Sequence, residues 1–215
     1  TNVLISAGPT REPLDPVRYI TNRSSGKMGY ALAEAALNAG ANVTLVSGPV
    51  TLPAPKDVNT IYVETAEQMH HAVISHASTN SIYIGAAAVA DYSPATISAE
   101  KIKKQATESL ITLQKTKDIL ADVANLADRP NFVVGFAAET DDLENYAKDK
   151  LKRKNLDMIA ANWVGKEQGG FDKNENALQV YWHAGCQSLE MTDKKQLAEQ
   201  LISLIVERIN EKNTA

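Results

Sequence analysis

The sequence predicts a doubly wound, Rossmann-like α/β fold: a mostly parallel sheet with helices on both faces and an appended β-hairpin. Three observations lead there. Short runs rich in Val and Ile alternate with stretches of helical period. The runs are continuously apolar, as strands buried on both faces must be. The last two β-like runs flank the turn HAG and so read as a hairpin beside the parallel strands. In chain order, strands are expected at 2–7 (NVLISA), 42–47 (NVTLVS), 59–63 (NTIYV), 81–85 (SIYIG), 132–135 (FVVG) and 157–161 (DMIAA). Helices are expected near 27–38, 66–78, 117–126, 142–154 and 193–210. Two further β-like pieces lie at 95–97 and 110–113 within a loop-like stretch, 86–114. The hairpin strands fall at 177–182 and 187–191. Ligands of such a fold sit beyond the carboxyl ends of the strands.

The chain has 215 residues, 44% hydrophobic and 22% charged, enough for one domain over residues 1–215 with a well-filled core. Its net charge of −4 disfavours nucleic acid or an anionic membrane surface as partner. No apolar run approaches the roughly 20 residues of a membrane helix, and TNVLISAG is no signal peptide. A single cysteine, Cys186, forms no internal disulfide and suits a reducing cytoplasm. It reads as structural, with only His183 near it in sequence. The chain opens on a strand without Met, as the excised half of a longer polypeptide would.

The first strand ends in Gly8-Pro9-Thr10-Arg11-Glu12, and about 20 residues pass before the helix, against the usual 2–6. A connection of that length at a strand's carboxyl end is usually functional. Its last part, Asn22-Arg23-Ser24-Ser25-Gly26-Lys27-Met28-Gly29, brings hydroxyls and backbone N–H groups to a positive helix end, where an anion can bind. The competing structural reading is that Ser24 or Ser25 caps the helix. The fourth strand runs into Gly85-Ala86-Ala87-Ala88-Val89-Ala90-Asp91-Tyr92-Ser93-Pro94. Small side chains there admit a ligand to the backbone, and the Asp91 carboxylate can accept from a base or ribose; tight packing with a solvated Asp explains the same residues. Lys101-Ile102-Lys103-Lys104 reads as a solvated run, or as a phosphate-facing pair because a strand puts Lys101 and Lys103 on one side. Phe136, in FAAET, can stack on a base. Lys150 and Lys154 share a helix face.

Other chemistries lack their residues. Thr21 and Met28 stand where the phosphate-binding G-x-x-x-x-G-K-[ST] needs Gly and Ser or Thr, and G-x-G-x-x-G is missing after the first strand. A nicotinamide-dependent dehydrogenase of similar fold is thereby disfavoured. His70, His71, His76 and His183 have no metal-ligand spacing, no C-x-x-C or H-E-x-x-H occurs, and no G-x-S-x-G marks a serine hydrolase. A nucleotide-sensing regulator without turnover remains the alternative from the binding class.

Taken together, SAGPTREPLDPVRYITNRSSGKMG, GAAAVADYSP, KIKK, KDIL and GFAAET resemble the bacterial phosphopantothenoylcysteine synthetases, over nearly the whole chain. The resemblance implies a ligase of coenzyme A biosynthesis, often fused behind a flavin-dependent decarboxylase, that joins L-cysteine to 4'-phosphopantothenate. CTP activates the acid as an acyl-cytidylate, with Mg²⁺ held mainly by the nucleotide phosphates. It also implies a homodimer whose pantothenate sites are capped by a segment of the neighbour; residues 8–26 and 86–114 are the candidates for that exchange. Carried over by position, the nucleotide site takes Gly85, Ala86, Ala87, Asp91, Lys101, Lys117, Asp118, Ile119, Leu120, Phe136, Lys150 and Lys154. The acid site takes Asn22, Ser24, Ser25, Gly26 and Ala88, with Arg18 a further phosphate or supporting contact. Asn22 and Lys101 are the expected catalytic residues, Asn22 as a donor and Lys101 as a neutralising cation.

Overall fold

A computed structural model describes residues 1–104, 110–139, 142–163 and 175–214. The elements follow in chain order as β1 (Asn2–Ala7), β2 (Arg11–Pro13), β3 (Tyr19–Thr21), α1 (Lys27–Asn38), β4 (Asn42–Ser47), β5 (Asn59–Tyr62), α2 (Ala66–Ala77), β6 (Ile82–Gly85), β7 (Tyr92–Pro94) and β8 (Leu113–Lys115). Then come α3 (Ile119–Ala124), β9 (Phe132–Glu139), α4 (Leu143–Arg153), β10 (Met158–Trp163), β11 (Glu175–Trp182), β12 (Gly185–Asp193) and α5 (Lys194–Thr214).

Eight strands form one sheet in the order β12-β11-β10-β9-β6-β1-β4-β5. The six strands from β10 to β5 pair in parallel, whereas β11 pairs antiparallel with β10 and β12 with β11. The expected doubly wound sheet with its appended hairpin is the observed one. Alternating strand residues feed two separate cores, as the period of two requires. Val3, Ile5, Val43, Ile84 and Val134 meet α1 and α5 on one face. Leu4, Val46, Tyr83, Val133 and Ile159 meet α2, α3 and α4 on the other. Gly29 is what lets α1 lie down on β1, because a Cβ there would stand 2.4 Å from the Cβ of Ala7.

Two departures from the sequence expectation matter for the site. The long connection after β1 is not an open loop. It folds into the β2–β3 ribbon, with Thr21 Oγ1 donating to Thr10 O at 2.7 Å and Arg11 stacked over Tyr19 at 4.6 Å. Buried Glu12 then accepts from Ala66 N at 2.8 Å, so the ribbon is tied to the first turn of α2. The β-like pieces of the second excursion are displaced: β7 and β8 pair with each other, β7 three residues upstream of its expected place and β8 overlapping its own only at Leu113. Residues 105–109 of that excursion, and Thr140 of FAAET, lie outside the described residues.

Candidate functional site

At the carboxyl edge of the parallel strands the chain opens into a cleft of about 760 Å³. One wall is the turn before α1. Gly26 is the N-cap residue in a left-handed conformation (φ 75°), and no side chain caps the helix. Ser24 Oγ instead accepts from Gly26 N at 3.3 Å. The N-cap is thus Gly26 and neither serine, and the positive end of α1 faces the cleft, where an anion is favoured.

The floor is the segment after β6. Gly85, Ala86, Ala87, Ala88 and Asp91 all line the cleft, and a set of hydrogen bonds fixes their backbone. Ala88 N donates to Gly8 O at 2.9 Å, and Ala90 N donates to Thr10 Oγ1 at 3.0 Å. Asn22 lines the cleft too, but its amide nitrogen donates inward, to Ala88 O at 3.3 Å and Val89 O at 3.0 Å. In this arrangement its N–H donors hold the floor of the cleft. Beneath the floor, Tyr83 shares a 3.0 Å hydrogen bond with Ser6, and burial pushes the phenol up to about 12. Tyr83 is thus a neutral polar group at physiological pH.

The second wall is the segment before α3. Thr116 ties it to the floor through Oγ1 to Ala90 O at 2.6 Å and N to Asp91 O at 3.0 Å. Lys117, Asp118, Ile119 and Leu120 line the cleft. Asp118 caps α3 by accepting from Ala121 N, and Lys154 approaches its carboxylate to 2.7 Å. Burial raises the Asp118 pKa, but the Lys154 hydrogen bond and the cap outweigh it and hold the carboxyl below its usual value. Lys150 Nζ donates to Phe136 O at 2.8 Å, and Phe136 lies half-buried on the cleft side of β9. The residues carried over for both substrates thus meet in one cleft.

Lys101 is the exception, because it is exposed and does not line the cleft. Its segment docks on the tip of the β2–β3 ribbon. Ser98 N donates to Leu14 O at 3.0 Å, Ile102 N to Asp15 Oδ2 at 3.1 Å, and Arg18 Nη2 to Ile102 O at 2.8 Å. Arg18 also pairs with Asp15 at 2.5 Å and so holds this segment rather than reaching the cleft. The same guanidinium keeps the Asp15 carboxyl well below the ordinary carboxylate range.

The cleft includes residues that the sequence reading did not select: Ser6, Lys27, Tyr83, Asn162, Asn176 and Lys194. For three of them a signal existed, since Ser6, Tyr83 and Asn162 are polar residues in otherwise apolar strands. Cys186 and His183 play no part; Cys186 is exposed on β12 and the His183 ring bonds Leu156 O. Among the described residues no three His, Cys, Asp or Glu side chains group as metal ligands, and no helix is long and apolar enough to cross a membrane.

Comparison with known proteins bears on the fold and the family. Residues 1–209 match the family described as the DNA/pantothenate metabolism flavoprotein C-terminal domain. The coenzyme A biosynthesis bifunctional protein CoaBC of Vibrio cholerae is 54% identical over 96% of this chain and 52% of its own length. That of Escherichia coli is 54% identical over 99% and 53%. The chain therefore spans about half the length of these curated relatives. A crystal structure of the C-terminal domain of a CoaBC protein superposes with TM-score 0.83 at 40% identity, over 98% of this chain and 96% of the other. Fold and relatives converge, and the chain belongs to the family of DNA/pantothenate metabolism flavoprotein C-terminal domains.

Proposed function

We propose that this chain is a phosphopantothenate–cysteine ligase of coenzyme A biosynthesis. It uses CTP to activate the 4'-phosphopantothenate carboxylate and L-cysteine as the acceptor, within a protein that also carries a flavin-dependent decarboxylase. The observation that carries the reading is the convergence, in one cleft, of the open end of α1, the small-residue floor and the Lys117–Leu120 wall. A carboxylate resists attack by an amine because its carbon is weakly electrophilic and oxide leaves poorly. In the first step a carboxylate oxygen bonds to the α-phosphorus, the bond to the β-phosphate oxygen breaks, and pyrophosphate departs with that electron pair. In the second, the cysteine amine bonds to the acyl carbon, the C–O bond to CMP breaks, and the amine proton passes to solvent. Both steps build up negative charge, which donors and cations stabilise better than a strong base would. The cleft supplies N–H groups, hydroxyls and lysines of this kind.

Backbone groups of Lys117–Leu120 read the cytosine edge on this reading, Phe136 lies against the base, and Asp91 accepts from the nucleotide. Asp118 is engaged by Lys154 and by the α3 cap, so among the described residues the cleft offers few carboxylates to a metal. Mg²⁺, a hard ion that keeps phosphate and water ligands, would be held by the phosphates; it neutralises their charge when bound. Lys101 acts at the cleft of a partner protomer. Val17, Tyr19, Ile97, Ile102, Ile111 and Leu113 are all exposed on the two ribbons and the excursion between them, an apolar surface that favours self-association. The decisive assay is pyrophosphate release with CTP, 4'-phosphopantothenate and Mg²⁺ before cysteine is added. Release is expected; a dehydrogenase or a non-catalytic sensor gives none. A monomeric mass at micromolar protein with full activity would overturn the shared site.

A further inference from the structure

Gly85 and Gly135 stand side by side, in register on the parallel strands β6 and β9. Tyr83 and Val133, two residues before each, belong to the core under α2, α3 and α4. The period of two therefore puts the missing side chains of both glycines on that same face. Glycine inside a strand gives up packing and marks a place where another group comes close. Here that group is Leu120. A Cβ at Gly135 would stand 2.7 Å from Leu120 Cδ2, and one at Gly85 would stand 3.2 Å from Leu120 Cδ1. Each δ-methyl thus rests on one of the two glycines. Leu156 Cδ1, 2.9 Å from the Gly135 position, and the Tyr83 hydroxyl, 3.4 Å from the Gly85 position, close the sides of the slot.

Leu120 is the second residue of α3, so its seat sets how far the Lys117–Leu120 wall sinks toward the strands. Other ties hold the wall along the rim, Thr116 to Ala90 and Asp91 of the floor, and Lys154 to Asp118. Across the gap stand Ala86 and Phe136, which line the cleft and directly follow the two glycines in the chain. Slot and gap are therefore built from the same two strand ends, and a change of depth in one is a change of width in the other. Main-chain groups of the wall can identify the edge of a base. How large a base reaches that edge is decided by the gap.

We infer that the Gly85–Gly135 slot determines base selectivity: by seating Leu120 it fits the gap to a one-ring base and disfavours a purine. Gly135 is a positioning residue here, acting through Leu120. This rests on the ligase reading above, with the base at Lys117–Leu120.

The test is steady-state kinetics with CTP and with ATP, at saturating 4'-phosphopantothenate, L-cysteine and Mg²⁺. The proteins are wild type, Gly135→Ala, Gly85→Ala and Gly135→Ala combined with Leu120→Val, each with a thermal melt. Wild type should prefer CTP. The Cβ added at 135 lifts Leu120 off the strands and draws the wall away from the base edge. Misplacing a binding group by about 1 Å can cost about 100-fold, so kcat/KM for CTP should fall about 10- to 100-fold in Gly135→Ala, and that for ATP less than about threefold. Gly85→Ala, with its looser 3.2 Å contact, should narrow the preference less, and it keeps the test valid if Gly135→Ala does not fold. Leu120→Val lacks the δ carbons that meet the new Cβ, so the double variant should regain part of the CTP preference. An unchanged ratio of CTP to ATP in both glycine variants overturns the inference and makes the slot plain packing. So does a double variant that regains nothing, or a wild type that uses the two nucleotides alike. Failure of the ligase reading looks different: wild-type protein would release pyrophosphate from neither nucleotide.

Discussion

Replacing Asn22 by Asp changes one atom and inverts the electrostatics of the floor. Asn22 donates twice, to Ala88 O and Val89 O. The carboxylate of the variant has nothing to donate and presents charge to two carbonyl oxygens. Each lost hydrogen bond is worth about 0.5–1.5 kcal/mol, so the two together come to roughly 1–3 kcal/mol. If that energy aligns the floor for the first step, acyl-cytidylate formation should fall about 5- to 100-fold, at tenfold per 1.4 kcal/mol. The assay is pyrophosphate release in a single turnover, with a thermal melt to show that the fold survives. Asn22→Ala removes the same donors without adding charge and separates the two contributions. Comparable losses in both variants mean positioning, whereas a far larger loss in Asp means repulsion of the substrate. Wild-type turnover in Asn22→Asp would refute the argument altogether.

Gly29→Ala should destabilise the protein by about 1–3 kcal/mol through overpacking, because the new Cβ would stand 2.4 Å from Ala7; a melt indistinguishable from wild type would show that α1 can shift off β1. Lys101→Gln should cripple one chemical step by about 10²–10³ while Lys104→Gln stays near wild type, and equal mild effects would return both lysines to a solvated run. Asp118 makes stability depend on acid. Its folded pKa lies below its ordinary value, so its contribution is complete above the ordinary carboxylate range near 3.9 and is lost as pH falls through the lowered value. Asp118→Asn should therefore flatten the fall of Tm on acidification, and an unchanged slope would mean that the Lys154 pair adds nothing.

Much of the scaffold was legible in the sequence, and what was missed has physical causes. β1, α1 and β4 lie where apolar continuity and helical period put them. β9 runs on past the expected Gly135 to Glu139, because pairing with β10 continues through Ala137 and Ala138, whose small side chains carry no strand signal. β2 and β3 escaped because three residues show no alternation, and the contacts that fix them, such as Glu12 to Ala66 N, join positions far apart in the chain. The site divides in the same way. The floor and the α1 turn were readable as clustered small and hydroxyl residues. Lys194 was not, since beside Lys195 it looks like any solvated pair, and only the turn into α5 buries one and exposes the other.

The cleft straddles a sheet whose two faces are covered by separate helical layers, α1 with α5 and α2 with α3 and α4. Its walls are thus anchored to opposite sides of one shared sheet, and among the described residues no hinge runs between them. Swallowing a substrate by jaw-like rotation of two lobes is not open to such a body. Gating falls to ribbons and loops at the rim, which move on faster timescales than domains do. Amide hydrogen exchange during turnover should then slow at the β2–β3 ribbon and the segment before α3, while β1, β6 and β9 stay as locked as in the resting protein.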